Sequence, residues 1–243
     1  MKVSNILSIL DEIAPFDLQE KWDNSGLLVG NKDDEFENIY ISLDLDSSLI
    51  KSAKENSLFI THHPLIFDGL RSLDPKSYPS NIIYEMIKKN IKLISMHTNA
   101  DKAFLNRYVV EEVLGFKVTK SEDFVCYFEP NQSFEEFVIM IADKLSLNSP
   151  HIVKTKDFIK TAAICTGSGA SLLNTIEAEC FLTGDIKYHS ALEAKENGIS
   201  MIDIMHYQSE IFFAKSLSIL LKDKGINAII ANSSNPFTTI KGI

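Results

Sequence analysis

Between residues 4 and 13 the apolar side chains fall at Ile6, Leu7, Leu10 and Ile13, a helical period that Pro15 ends. The run Trp22-Asp23-Asn24-Ser25-Gly26-Leu27-Leu28-Val29-Gly30 reads as a turn leading into a short strand. Residues 38–45 alternate as a strand does, and 47–56 can form the crossover helix to an apolar strand at 58–60. The segment 67–79 carries Gly69, Pro75 and Pro79 and is predicted to be an exposed loop. A helix over 80–90, a strand over 91–96 and a helix over 101–114, ended by Gly115, follow.

The alternation continues in the second half. Residues 124–128 look extended, and 133–145 are helical, with Ser133 as N-cap and Glu136 three residues on, the capping-box pattern. A strand over 159–165 enters Gly167-Ser168-Gly169, a helix covers 170–177, and a strand over 179–182 reaches the turn Thr183-Gly184-Asp185. A helix over 190–197, a strand over 201–205 and a last long helix over 209–224 complete the chain. This order of elements predicts an α/β fold with largely parallel sheets and helices packed on them.

Composition narrows the function classes. The 243 residues suffice for one large domain or two. Against 33 Asp and Glu stand 24 Lys and Arg, a formal charge of −9 with no basic stripe, which disfavours general nucleic-acid binding. Cys126, Cys165 and Cys180 are odd in number, widely spaced and mostly among apolar neighbours, so they are expected as reduced core thiols. No apolar run approaches the roughly 18 residues a membrane helix needs, and no secretory leader is read at the start. A soluble cytoplasmic protein is the expectation.

The candidate chemistry sits where apolar runs end. One run enters Thr61-His62-His63, a second His97-Thr98-Asn99-Ala100-Asp101, a third His206-Tyr207-Gln208-Ser209-Glu210. In open α/β sheets ligands bind beyond the carboxyl ends of strands, so these residues can converge. His62, His63, His206, Asp101 and Glu210, three imidazoles and two carboxylates, suit two divalent cations. Each also has a plainer reading. The paired histidines can be a turn with one buried ring, Glu210 can favour the positive end of a helix dipole, and Asp101 can open a helix capped by Asn99. Imidazole and oxygen donors without thiolate fit zinc, manganese or iron(II), whose chemistry with water is hydrolysis. His97 can be a base, a substrate contact or a buried hydrogen-bonded histidine, and Asp185 with His189, four residues on, can form a second proton-handling pair. The Gly167-Ser168-Gly169 turn offers a weak case for phosphate binding, and His151 reads as a surface residue.

In register, the Trp22 to Gly30 run, Thr61-His62-His63-Pro64, His97-Thr98-Asn99-Ala100-Asp101, Cys165-Thr166-Gly167-Ser168-Gly169, Thr183-Gly184-Asp185-Ile186-Lys187-Tyr188-His189 and His206-Tyr207-Gln208-Ser209-Glu210 resemble the signatures of the Nif-three-like family, whose members are often labelled GTP cyclohydrolase I type 2 homologues. The resemblance implies two α/β lobes, residues 1–100 with 205–243 and residues 101–204, with a dinuclear metal cleft between them, in a ring-shaped homohexamer. It implies that His62 and His206 hold one ion, His63 and Asp101 the other, and that Glu210 bridges both.

Two positions depart from the family pattern: Ala100 stands where Leu is usual, and Met205 where Gly usually precedes the ligand histidine. The stretch 115–160 leaves no room for the mid-chain insert of longer relatives, so this is the compact form. The label implies hydrolytic opening of the GTP purine ring with release of formate, with His97, His189 and Asp185 as candidate catalytic residues. Two other readings use the same five ligands: a phosphoesterase acting on a nucleotide or another small phosphate, and a metal-loaded ring that binds a partner without turnover.

Overall fold

The computed structural model describes residues 1–231 and 233–238. The chain divides into two compact units, Met1–Ala103 with Phe213–Ile243, and Phe104–Phe212. The expected boundaries lay at 100/101 and 204/205, so the difference places Asp101 in the first unit and His206 and Glu210 in the second.

The first unit is built on a five-stranded sheet in the order β1 (Gly26–Val29), β4 (Lys92–Ser95), β3 (Ser57–Thr61), β2 (Asn38–Ser42) and β13 (Ile229–Ile230). All neighbours are parallel except β1, which runs antiparallel along β4. Every residue of β3 and β4 is buried, as central strands of a parallel sheet covered on both faces require. Phe59 and Leu93 pack with Ile50, Ile83 and Met86, which come from α2 (Ser47–Ser52) and α3 (Ser80–Lys88). Helix α1 (Val3–Ile13) buries Val3, Ile6 and Leu10, close to the period read from the sequence.

Helix α2 starts where Asp46 Oδ1 accepts the N–H groups of Ser48 and Leu49, both at 2.8 Å. It stops four residues before the predicted end. Lys89 Nζ donates to the carbonyls of Ile50, Lys51 and Ala53 at 2.8, 2.8 and 3.0 Å, satisfying acceptors that a finished helix leaves open.

Residues 98–114 are helical throughout, α4 (Thr98–Ala100) and α5 (Asn106–Tyr108) being joined and followed by wider turns over Asp101–Leu105 and Val109–Leu114. Gly115, at φ +83°, ends the run.

The second unit holds a six-stranded sheet in the order β5 (Lys120–Glu122), β6 (Val125–Phe128), β10 (Ala162–Ile164), β11 (Cys180–Thr183), β12 (Ser200–Asp203) and β8 (Ile152–Val153), and a two-stranded ladder of β7 (Gln132–Ser133) with β9 (Phe158–Ile159). Only β10, β11 and β12 are mutually parallel. The expectation of a largely parallel sheet therefore holds in the first unit and is corrected here to a mixed sheet. A tight turn through Asp123, at φ +51°, forces β5 and β6 antiparallel, and β8 is too short to show a period in sequence. The capping box at Ser133 and Glu136 opens α6 (Phe134–Lys144) as expected. Phe181, Met201, Tyr127 and Ala163 form the core with Ala194 of α7 (Tyr188–Glu196).

The helix expected over 209–224 is two helices, α8 (His206–Glu210) and α9 (Phe213–Asp223). All three cysteines are buried thiols. Among the described residues no helix is long and apolar enough to cross a membrane.

Candidate metal centre

In the first unit β3 and β4 run parallel with Thr61 opposite Ser95, so the residues that follow each strand emerge side by side at the carboxyl end of the sheet. His62 is buried, and its Nδ1 donates to the Met96 carbonyl at 3.0 Å. Nδ1 of His63 donates to Asp44 Oδ1 at 2.7 Å, and Nδ1 of His97 to Asp23 Oδ1 at 2.8 Å. A carbonyl or carboxylate oxygen can only accept, so each of these Nδ1 atoms carries a proton, which leaves Nε2 as the ring atom able to ligate a cation. The three ring centroids lie 5.0, 5.1 and 5.6 Å apart, and one ring nitrogen from each falls within 4.8 Å of the others. Asp101 Oδ1 lies 3.5 Å from Nε2 of His62, whereas the family resemblance implies His63 as the partner of Asp101. Asn99 is no cap for this helix: it is buried, and its Nδ2 donates to the Ala14 carbonyl at 2.8 Å.

The support beneath His97 is dense. The Asp23 carboxylate also accepts the N–H and the hydroxyl of Thr98 and the hydroxyl of Ser25, while Ser25 Oγ accepts the His97 N–H at 3.0 Å. Burial alone would raise the Asp23 pKa, but the hydrogen bonds and charge of His97 and the bonds from Thr98 outweigh it and hold the carboxyl well below the usual range.

The second unit repeats the device. Strands β11 and β12 are parallel with Thr183 opposite Asp203, so Gly184-Asp185 and Met205-His206 follow neighbouring strands. Nδ1 of His206 donates to Asp185 Oδ2 at 2.7 Å, and its Nε2 lies 3.0 Å from Oε2 of the buried Glu210, one turn on in α8. Glycines admit this arrangement. A Cβ on Gly167, whose φ is +66°, would lie 2.0 Å from Glu210 Oε1, and one on Gly184 would lie 2.7 Å from the His206 amide nitrogen. The amides of Gly167 and Gly169 donate to Ser209 Oγ and Thr183 Oγ1 at 3.0 and 2.8 Å, so the turn spends two of its donors inside the fold.

The Duf34/NIF3 (NGG1p interacting factor 3) profile matches residues 1–236. The chain belongs to this family. A GTP cyclohydrolase 1 type 2 homolog of Campylobacter jejuni is 50% identical over 238 residues, covering 98% of this chain and 99% of that protein. A GTP cyclohydrolase 1 type 2 of Helicobacter pylori is 41% identical over 241 residues, with 98% and 99% covered. The crystal structure of a Staphylococcus aureus hypothetical protein superposes with a TM-score of 0.87 at 28% identity, covering 99% of each chain.

Of the residues singled out in this Duf34/NIF3 chain, His62, His63, His97 and Asp101 gather in one unit, and Asp185, His206 and Glu210 in the other. Asp185 is bonded to His206; His189 is exposed on the first turn of α7, its ring edge-on to Tyr188 at 5.4 Å. His151 is exposed, as read. Sequence reasoning passed over Asp23 and Asp44, the partners of His97 and His63. Asp23 stands within the Trp22 to Gly30 run that carried the resemblance, whereas Asp44, inside a stretch read as strand, carried no signal.

Proposed function

We propose that this chain is a metal-dependent hydrolase whose donor sets hold divalent cations, as the resemblance to GTP cyclohydrolase 1 type 2 homologues implies. One observation carries the reading: His62, His63 and His206 each have Nδ1 committed to an oxygen acceptor, the arrangement by which proteins orient Nε2 toward a cation. The donor set therefore fits divalent zinc, manganese or iron. His62 and Asp101, whose ligand atoms lie 3.5 Å apart, would hold an ion in the first unit with His63 beside them, and His206 with Glu210, 3.0 Å apart, would hold one in the second. Divalent ions held there supply Lewis acidity and lower the pKa of water.

The chain's own groups handle protons and position. His97 Nε2 accepts a proton from water attacking the carbon between two nitrogens of a purine ring, and Asp23 holds the opposite N–H and stabilises the imidazolium that results. The substrate on this reading is a nucleotide whose carbon between two ring nitrogens is cut from both: a first water opens the ring to a formamide, and a second hydrolyses that formamide to release formate.

Elemental analysis of protein purified without added metal or affinity tag, beside a His63→Ala variant, tests the centre. About two ions per chain, falling in the variant, together with formate release from GTP, is the expected result. Absence of bound ions with no uptake of Zn²⁺, Mn²⁺ or Fe²⁺ overturns the reading.

A further inference from the structure

The large aromatic side chains nearest His97 are left open to solvent. Trp22 is 57% exposed and Phe67 43% exposed, although aromatic rings of this size normally supply core packing. Their centroids lie 5.9 Å apart with planes tilted by 41°, so the two rings form an open corner and do not cover one another. His97 stands edge-on to both, at 6.1 Å and 77° from Trp22 and at 6.2 Å and 75° from Phe67.

This corner is built into the backbone. Asn24 Nδ2 donates to the Ile66 carbonyl at 2.6 Å, tying the turn that carries Trp22 to the loop that carries Phe67. Asp23, next to Trp22, is bonded to His97 and Thr98, and Ser25 receives the His97 amide. Consecutive residues of one turn thus supply an aromatic face, the support of an imidazole and a clamp on the facing loop. Such pre-ordering lowers the cost of binding a rigid partner.

We propose that Trp22 and Phe67 form a stacking subsite for a flat nitrogen heterocycle of nucleobase size. Tryptophan and phenylalanine faces bind any such ring by stacking and carry no preference for sugar or phosphate. His97, edge-on at the corner, brings a polar ring edge against the in-plane N–H and carbonyl groups that nitrogen heterocycles carry and hydrocarbons lack. The subsite rests on the hydrolase reading only for the claim that the bound ring is the substrate.

Trp22 is the chain's one tryptophan, so fluorescence excited at wavelengths that tyrosine does not absorb reports this corner alone. Guanosine 5′-monophosphate and ribose 5-phosphate are titrated into metal-loaded and chelator-stripped protein. Saturable quenching by the nucleotide and none by the sugar phosphate is expected. Phe67→Ala weakens nucleotide binding about tenfold by the same signal, and in equilibrium dialysis Trp22→Ala does so while Trp22→Phe retains affinity, with metal content unchanged in all three. Equal affinity for ribose 5-phosphate, or full affinity in Trp22→Ala and Phe67→Ala, overturns the subsite. Bound metal without selective quenching sinks the subsite alone. Selective quenching in protein that takes up no metal sinks the hydrolase reading and leaves the subsite standing.

Discussion

Asp185 Oδ2 accepts the Nδ1–H of His206 at 2.7 Å, which makes residue 185 the support of an imidazole. On the proposed reading this bond sets the tautomer that offers Nε2 to a cation. Asp185→Ala is expected to lower metal affinity by about 10- to 100-fold, the usual cost of removing such a support. The fold should survive, because the Asp185 side chain is 52% exposed. Competitive titration against a chelator measures the change, with His189→Ala as the comparison that leaves affinity intact. If the two variants lose metal equally, the bond to His206 is not what matters.

Gly167 and Glu210 are in closer apposition than any other residue type at 167 allows. Alanine there would carry its Cβ 2.0 Å from Glu210 Oε1 and would also have to hold φ at +66°. Gly167→Ala should cost about 1–2 kcal/mol from the left-handed backbone, and more if Glu210 cannot move. Because the carboxylate is the atom displaced, metal content should fall as well. Chemical denaturation beside elemental analysis reads both, and an unchanged denaturation midpoint would show that the turn relaxes without strain.

Much of the first unit's site was legible because the same local signal recurs: an apolar strand ending in His62-His63 and another ending in His97 must be neighbours in a parallel sheet for their ends to meet, and they are. Asp23 was harder to see, since its bond to His97 spans 74 residues and follows no helical or strand period. Asp44 gave no sign, lying just beyond β2 where alternation had not visibly stopped. In the second unit the antiparallel edges escaped because β8 has only two residues and β5 only three, all exposed, while Ile159 of β9 was absorbed into the strand read over 159–165. The break between α8 and α9 was invisible for another reason: helical spacing continues across it, although α8 belongs to one unit and α9 to the other.

Asp23 links the site to stability at acid pH. Its folded pKa is depressed, because the bonds from His97 and Thr98 outweigh the burial that would raise it. A depressed carboxylate contributes stability above its unfolded pKa, about 3.9, and that stability is lost as pH falls toward the folded value. Wild type should therefore exceed Asp23→Asn in denaturation midpoint at pH 7, and the gap should narrow between about pH 4 and pH 2. A gap that stays constant with pH would assign the difference to packing and not to the charge.

Met205 occupies backbone that favours glycine, at φ +58° and ψ +147°, immediately before His206. A side chain in this sparsely populated region costs on the order of 1–3 kcal/mol. Asp203 helps to hold it there, its Oδ1 accepting the Met205 N–H at 2.9 Å. Glycine would remove the strain but would lose about 0.5–1 kcal/mol to the greater freedom of the unfolded chain. Met205→Gly should therefore raise stability by about 1 kcal/mol, with the His206–Asp185 bond and metal affinity preserved. Urea denaturation of the two proteins decides it. A lower midpoint in Met205→Gly would mean that the methionine side chain packs more favourably than its backbone is strained, and that the departure at this position is compensated locally.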